Sequence, residues 1–294
     1  VCRCAFTPLV EELCRRVRAT VAHLTEEELL ESLGHIEYVG MSGGQSGSCF
    51  FCTEDGLWMC KVVDREDCEQ VTLMMEDYVQ YTEEQPDSML PFVVAVFQVV
   101  LSGGEHIGVI VSENVFHACP VDGFRFDLKG SLSGRQKGAG ESVYKDEDLL
   151  DMEANHEVRL TLPTASDKRD FLEQLEKDTA FLRDHNRMDY SLLVGISGGH
   201  NCGRGNRFKS GGLGYCFGLI DIFQEFNHRK QVEFKFRQVL QASQETVSVN
   251  PPEPYQQRFM AFMGLHVHDP EAGRDSCEDT GEGDGSRGDE KVDE

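Results

Sequence analysis

A turn without bulky side chains precedes a lysine-bearing hairpin near the start of the chain. The turn reads Ser42-Gly43-Gly44-Gln45-Ser46-Gly47-Ser48, and Lys61 lies on the second strand of the hairpin predicted to follow. Backbone N–H groups of such a turn can approach triphosphate oxygens, and a lysine on the outgoing strand can neutralise them. No GxxxxGK[ST] segment is present, so this is not a P-loop. The pattern is compatible with phosphate binding, although a glycine-rich hairpin is more often structural.

Two acidic residues farther along the chain lie in apolar surroundings. Asp189 precedes the run Tyr190-Ser191-Leu192-Leu193-Val194, and Asp221 ends the run Gly218-Leu219-Ile220. A carboxylate in a buried strand is costly unless it is paired or binds a metal. Structural pairing stays open for each acid, but two such acids downstream of a glycine turn and a strand lysine fit nucleotide–metal chemistry better. The protein-kinase signatures HRDxxxxN and DFG are absent, which disfavours a protein kinase.

The hydrophobic pattern predicts the elements that must position these residues. It predicts a first helix starting at Pro8 and a second helix after a capping box formed by Thr25 and Glu28. Asp55-Gly56 between two apolar runs predicts a hairpin. The predicted segments are hairpin strands over 49–53 and 57–63, helices over 65–80, 167–184 and 255–263, and further strands over 92–101, 107–111 and 215–223. A two-lobed α+β enzyme satisfies this order, as do many other folds.

Charge and composition exclude several classes of function. The 294 residues carry a formal charge of −24, and residues 269–294 contribute 11 acidic and three basic residues to it. This balance argues against non-specific nucleic-acid binding, and any contact with anionic lipid must use local basic patches. The apolar segment Leu90–Leu101 is too short to span a bilayer. The 11 cysteines show no framework, which favours reduced thiols in a cytosolic protein.

Five segments resemble, in order, the signatures of the phosphatidylinositol phosphate kinase family. They are Asp127-Leu128-Lys129-Gly130-Ser131 with Arg135 (DLKGSxxxR), 144–148 (KDxDF, with Leu149 replacing the aromatic residue), 187–196 (MDYSLLVGI), 219–222 (IID) and 246–259 (the end of the activation loop). The resemblance covers roughly residues 10–265. It implies an α+β, two-lobed, protein-kinase-like fold with an antiparallel sheet in the N-lobe (1–113), a mixed α/β C-lobe (114–268) and an acidic disordered tail (269–294).

The resemblance also implies an ATP site. The residues assigned to the phosphate-covering loop are Ser42, Gly43, Gly44, Ser46, Gly47 and Ser48. Lys61 is expected at the α- and β-phosphates, with Glu69 on the following helix as its partner. Asn114 falls where the lobes of the family join and the adenine packs.

The remaining implied roles concern the transferred phosphoryl group. Lys129 is expected to contact phosphate, and Arg135 is assigned to phosphate on the substrate side, with an ordinary surface base as the alternative. Asp189 is expected to be the catalytic carboxylate near the inositol hydroxyl, and Asp221, with Asp189, is expected to hold Mg²⁺. Cations then neutralise the phosphoryl charge while one carboxylate orients the nucleophile.

The segment after Asp221 bears on the choice of lipid. Glu233, 12 positions after Asp221, resembles the glutamate of type I enzymes, which act on phosphatidylinositol 4-phosphate (PI4P). Arg229 and Lys230 resemble the paired membrane-contacting lysines, with Gln231 replacing one of them. We therefore expect a PI4P 5-kinase making PI(4,5)P2. Residues 113–116 and 170–175 look more like type II, which keeps a PI5P 4-kinase or a PI3P 5-kinase as alternatives.

Other functional classes stay open at this point. A non-catalytic pseudokinase scaffold, a soluble inositol phosphate kinase and an acidic interaction module are the rivals. Presence of Lys61, Lys129, Asp189 and Asp221 counts against the first, and the activation-loop resemblance counts against the second. We expect a cytoplasmic protein peripherally associated with membranes, with ATP and a phosphoinositide as partners and no nucleic acid. The oligomeric state cannot be read from the sequence.

Overall fold

The computed structural model describes residues 5–41, 48–101, 103–117, 123–132, 134–198, 209–210, 213–227, 230–232 and 250–270. Within them a six-stranded antiparallel sheet, the first sheet, has the order β1-β5-β6-β4-β3-β2. Its strands are β1 (Ala5–Leu9), β2 (Ile36–Met41), β3 (Cys49–Thr53), β4 (Trp58–Val63), β5 (Val93–Val100) and β6 (His106–Glu113). The predicted hairpin joins β3 to β4, and Gly56 takes the left-handed conformation that its turn requires (φ 74°).

Helices follow the first sheet closely. They are α1 (Glu11–Arg16), which continues as a π-helical segment over Val17–Ala22, α2 (Glu26–Leu33) and α3 (Arg65–Glu84). The capping box predicted at Thr25 and Glu28 is confirmed, because both reciprocal hydrogen bonds are present. α1 packs against β5 and α3 against β6. The buried face of α3 carries Val71, Met75 and Tyr78 at helical spacing.

A second antiparallel sheet has the order β10-β11-β9-β7. Its strands are β7 (Phe124–Leu128), β9 (Ser191–Gly198), β10 (Lys209–Ser210) and β11 (Leu213–Ile220). The associated helices are α4 (Asp146–Ala154), α5 (Ala165–Asp184) and α6 (Pro252–His266), and α5 packs on α6. The short strands β8 (Leu160–Thr161) and β12 (Val267–His268) form a parallel pair.

One hydrophobic core connects the two sheets. It includes Val63 and Tyr78 beside the first sheet, Leu192 and Leu219 from the second, and Phe259 of α6. The predicted α+β class with an antiparallel sheet is therefore confirmed. Among the described residues no helix is long and apolar enough to cross a bilayer.

The start of the chain differs from the prediction. Pro8 does not begin a helix but lies in β1, where it pairs with Phe97 at the edge of the first sheet. Proline is tolerated there because an edge strand does not need every N–H for the ladder. The helix begins three residues later, at Glu11. Helical spacing of the apolar residues continued back through the strand, so periodicity alone could not locate the boundary.

Candidate active site

Three neighbouring strands of the second sheet have an end on the same side of the sheet, and this brings three predicted site residues together. Ile220 of β11 pairs with Ser191 of β9, and Leu192 of β9 pairs with Leu128 of β7. Asp221 directly follows β11, Asp189 lies two residues before the first residue of β9, and Lys129 directly follows β7. Antiparallel register therefore converts three distant sequence positions into one cluster.

Both aspartates have an unusual backbone conformation. Asp189 has φ 64° and Asp221 has φ 58°, in the left-handed region that non-glycine residues seldom adopt. Such conformations cost about 1–3 kcal/mol and are found preferentially at functional sites. Asp189 lies just before β9 and Asp221 just after β11, and their carboxylates contact Lys129 and Lys61.

Lys61 reaches this edge from the first sheet. It lies on β4 between Phe50 of β3 and Ile110 of β6. Its Nζ is 2.5 Å from Asp221 Oδ1 and 5.7 Å from the centre of the Phe50 ring. The Lys61 and Asp221 side chains are 28% and 35% exposed, so solvent and ligands can reach the pair. An ion pair thus joins a strand of the first sheet to the residue that follows β11 of the second, and we call the space between the two sheets at this point the cleft.

Lys129 completes the cluster. Its Nζ donates to Asp189 Oδ1 at 2.8 Å, with side-chain exposures of 14% and 25%. Burial acts to lower the pKa of Lys129, but Asp189, Asp221 and Asp127 outweigh it and raise the pKa above its usual value. Burial acts to raise the pKa of Asp221, yet Lys61 and Lys129 hold it below 3.8. Lys129 and Asp221 are therefore charged at neutral pH. We call Lys61, Lys129, Asp189 and Asp221 the cleft cluster.

A buried arginine ties the two aspartate-bearing segments to each other. Arg187 Nη1 donates to Phe223 O and to Gln70 Oε1 of α3, both at 3.1 Å. Met188 N donates to Gln224 O at 3.0 Å, so the chain before Asp189 runs beside the chain after Asp221. Sequence reasoning gave Arg187 no role, because a base beside a motif carries no sign of burial.

Glu69 is not placed where the prediction put it. Its carboxylate accepts from Arg65 Nε at 2.8 Å on the exposed surface of α3, whereas Lys61 pairs with Asp221. The acid of α3 that interacts electrostatically with Lys61 and Asp221 is Asp67. The difference is rotational: two residues turn a helix by about 200°. Asp67 lies four residues before Val71 and therefore on the same face of α3 as the buried residues Val71 and Met75. The position of this face would have favoured Asp67.

Asn114 and Arg135 both make internal contacts. Asn114 Nδ2 donates to Gly56 O at 2.8 Å, so the side chain fixes the β3–β4 turn. The next residue, Val115, lies against Gly218, where a Cβ in place of the glycine hydrogen would be 2.5 Å from Val115 Cγ2. Arg135 forms ion pairs with Asp127 and Asp146. The Arg135 guanidinium is therefore paired with two carboxylates of the chain itself.

Several predicted site residues lie outside the described residues. These are Ser42, Gly43, Gly44, Ser46, Gly47, Arg229 and Glu233. Ser48 is described and is buried just before β3. Lys230 lies in the helical residues 230–232, and its N–H donates to Asn227 Oδ1 at 3.1 Å.

Two aspartates of the cleft cluster, Asp189 and Asp221, are the residues that could hold a metal ion. No group of three or more metal-binding side chains occurs among the residues with described positions. Mg²⁺ does not need one, because it is commonly held by one or two carboxylates together with substrate phosphates. Asp189 and Asp221, both turned into the cleft, fit that coordination.

Comparison with known proteins identifies the family. A family model described as phosphatidylinositol-4-phosphate 5-kinase matches residues 32–211 and 199–266. The chain belongs to this family, the phosphatidylinositol phosphate kinases. The resemblance inferred from the five sequence motifs is thereby confirmed.

Individual relatives are distant. The chain is 25% identical to the mouse phosphatidylinositol 4-phosphate 5-kinase-like protein 1, over 86% of this chain and 72% of that protein. It is 26% identical to the chicken phosphatidylinositol 4-phosphate 5-kinase type-1 beta, over 76% and 51%. It is 26% identical to the mouse 1-phosphatidylinositol 3-phosphate 5-kinase, over 84% of this chain but 12% of that protein. A probable phosphatidylinositol phosphate kinase of Dictyostelium discoideum is 21% identical, and the chain spans 41% of its length.

Proposed function

We propose that this protein is an ATP-dependent phosphatidylinositol phosphate kinase that transfers the γ-phosphate to the inositol ring of a phosphoinositide. The observation that carries the proposal is the cleft cluster, in which two lysines and two aspartates from distant positions meet between two sheets. The two sheets correspond in this proposal to the N-lobe (1–113) and C-lobe (114–268) of a protein-kinase-like fold.

The two ion pairs suggest how the nucleotide is accepted. Each lysine is neutralised by one aspartate, so the cluster is balanced in charge. A magnesium–triphosphate complex brings both signs of charge. Its phosphate oxygens can form ion pairs with the lysines, and its cation can bind the aspartates. The exchange replaces two ion pairs by charge-assisted contacts to the ligand and leaves no buried charge unpaired.

The residues have separate tasks in the transfer. Lys61 and Lys129 bind phosphate oxygens and stabilise the charge on the transferred group. Asp189 orients the inositol hydroxyl and accepts its proton. Asp221 and Asp189 would hold Mg²⁺, which supplies further electrostatic stabilisation of the phosphates when it is bound.

The lipid substrate proposed is PI4P, with PI(4,5)P2 as product. Glu233, as the type I-like residue of the activation loop, supports this choice. The type II-like segments 113–116 and 170–175, and the relative named as a PI3P 5-kinase, make the other two phosphoinositide substrates the alternatives. The proposed location is the cytoplasmic surface of a membrane, contacted through Arg229 and Lys230.

Radiolabelled phosphate transfer tests the proposal. Wild type and Asp189→Asn are incubated with labelled ATP, Mg²⁺ and vesicles that contain PI3P, PI4P or PI5P. We expect label on PI4P with the wild type and a loss of about 10³-fold in kcat for Asp189→Asn, because a positioned proton acceptor contributes about 10²–10⁴-fold.

A matched substitution controls for general damage. Asp151→Asn makes the same chemical change at an exposed position of α4 and should leave transfer unchanged. Label on PI3P or PI5P in place of PI4P would change the substrate. Transfer by the wild type to none of the three lipids would favour the non-catalytic scaffold.

A further inference from the structure

The turn that carries Lys129 is closely confined. Gly130 has φ 65°, and a Cβ at this position would be 3.0 Å from Phe259 Cα and 3.1 Å from Phe262 Cβ of α6. Arg258 Nη2 also donates to Lys129 O at 3.4 Å. The turn is therefore pressed against α6 on one side, and only glycine combines this conformation with this contact.

A buried carboxylate holds the same turn from the other side. Asp146 Oδ1 accepts the N–H of Lys129 at 2.9 Å and that of Gly130 at 2.7 Å. The Asp146 side chain is 0% exposed. Two converging backbone N–H groups form a small anion site, which fixes the direction in which the chain leaves β7. The Lys129 side chain starts from this fixed backbone and reaches Asp189.

Arg135 compensates the buried charge of Asp146. Its Nε donates to Asp146 Oδ2 at 2.8 Å, and its Nη2 donates to Asp127 O at 2.5 Å and to Asp127 Oδ1 at 3.0 Å. Burial raises the pKa of Asp146, and the Arg135 guanidinium opposes that shift. A buried carboxylate with a bidentate-capable partner keeps a single geometry better than a lone one.

We infer that Asp146 and Arg135 are positioning residues that act through Lys129, and that Arg135 holds this turn rather than binding lipid phosphate. The inference rests on the proposed function, because it assumes that the Lys129 ammonium binds ATP phosphate. Asp146 contacts the backbone of the lysine, and Arg135 contacts Asp146, so loss of either displaces the ammonium from the cleft. Their effect should therefore depend on Lys129 and on ligands that carry phosphates for it.

A double-mutant cycle on nucleotide affinity tests the inference in the full chain. Calorimetric titrations with ATP and with AMP, both with Mg²⁺, compare wild type, Lys129→Met, Asp146→Asn and the double variant. We expect each single variant to bind ATP about tenfold more weakly, with the double variant no weaker than Lys129→Met, because residues that act as one unit are not additive. The affinity for AMP should change less than about twofold in all of these variants, because AMP lacks the phosphates that Lys129 is proposed to contact.

Two controls separate positioning from general damage. Asp151→Asn, in the same helix but exposed, should bind both nucleotides as the wild type does. Arg135→Lys keeps the positive charge but loses the planar guanidinium that contacts Asp127 and Asp146 together. It should show the same selective loss of ATP affinity, and it replaces Asp146→Asn if that variant does not fold.

The outcomes distinguish the inference from the function beneath it. Additive losses in the double variant, or equal losses of ATP and AMP affinity, overturn the positioning role while the kinase proposal stands. Unchanged ATP affinity in Lys129→Met overturns the proposed role of the cleft cluster, and the inference with it. Lipid-selective loss in Arg135→Lys, with ATP affinity intact, would return Arg135 to the substrate side.

Discussion

The acidic side chains of the cleft cluster and the acidic side chain of Asp178 differ in how their charges are satisfied. In the cleft cluster, Asp189 and Asp221 are partly exposed, have positive φ angles and pair with lysines. Asp178 of α5 is 0% exposed and lies within a regular helix. We call Asp178 and its donors, Tyr81, Ser88, Met89 and Gln174, the Asp178 cluster.

The Asp178 cluster is complete without any ligand. Its carboxylate accepts from Met89 N and Tyr81 OH, both at 2.7 Å, and from Gln174 Nε2 at 3.0 Å. Ser88 adds a further hydrogen bond. These donors join α3, α5 and the segment before β5, so the cluster fastens helices to one another. A buried acid that is satisfied by neutral donors stabilises a fold, whereas partly exposed acids paired with lysines are available to a ligand.

The largest expected effect is on activity, from the cleft cluster. Asp221→Asn should lower kcat by about 10³-fold, because removing one preorganised electrostatic group costs about 10²–10³-fold. The free energy of unfolding should change little, since the Lys61–Asp221 pair is partly exposed and such pairs contribute at most about 1 kcal/mol. Steady-state kinetics and denaturant unfolding of the same preparation provide both numbers. A large loss of stability would make Asp221 a structural acid like Asp178.

The Asp178 cluster should show the opposite pattern. Asp178→Ala leaves the partly buried Met89 N and Tyr81 OH without their acceptor, so the free energy of unfolding should fall by about 3 kcal/mol. The folded fraction should keep a kcat within about threefold of wild type, because no atom of this cluster enters the proposed chemistry. Urea unfolding monitored by circular dichroism measures the first quantity. Normal stability combined with lost activity would refute the contrast.

Arg229 and Lys230 provide a third case, because we expect them to affect only binding to the lipid surface. Arg229→Glu with Lys230→Glu should weaken association with PI4P vesicles by about thirtyfold or more, since each base near an anionic surface contributes about 1 kcal/mol. ATP affinity should not change. Vesicle sedimentation at two salt concentrations measures the association, and the effect should shrink at high salt. Unchanged sedimentation would remove these residues from the membrane surface.

The smallest expected effect is a difference in acid titration. Burial acts to raise the pKa of both acids, but Lys61 and Lys129 lower the pKa of Asp221 below 3.8, whereas burial prevails at Asp178 and raises its pKa above 3.8. The Asp221 contribution to stability is therefore present above pH 3.8 and is lost as the pH falls through its folded pKa. The Asp178 contribution declines as the pH rises from 3.8 through its folded pKa.

Carboxyl ¹³C NMR can follow the two titrations separately. Asp221→Asn and Asp178→Asn assign the two resonances by their disappearance. Midpoints on the same side of 3.8 would contradict the assignment of one acid to lysine pairing and the other to burial.

The sequence predicted the local elements of both regions, but it could not tell the two kinds of acid apart. Helix 167–184 was predicted, and it spans Ala165–Asp184. Its buried residues include Leu175, Thr179 and Leu182, but nothing in the sequence indicates that the acid beside them, Asp178, is buried as well. Gln174 is a local donor, but the other donors to the Asp178 carboxylate, Tyr81, Ser88 and Met89, lie about 90 positions away, and local patterns do not contain such contacts.

The cleft residues were predictable for a different reason. Lys61, Lys129, Asp189 and Asp221 were assigned through motif resemblance, and strand register then explains why they meet. Glu69 was misplaced because the resemblance fixed a helix but not its rotation. Arg135 was assigned to phosphate because a base in a phosphate motif suggests that role, whereas its partners, Asp127 and Asp146, become visible only after folding.

Titration of the full chain with ATP tests the central claim, which is that the cleft cluster forms a magnesium–nucleotide site. Calorimetry is run with and without Mg²⁺ on wild type, Lys61→Met and Asp221→Asn. We predict one saturable site in the wild type, weakened at least tenfold by removing Mg²⁺ or by either substitution. An absence of binding in the wild type, or equal affinity in all three proteins, would contradict the account.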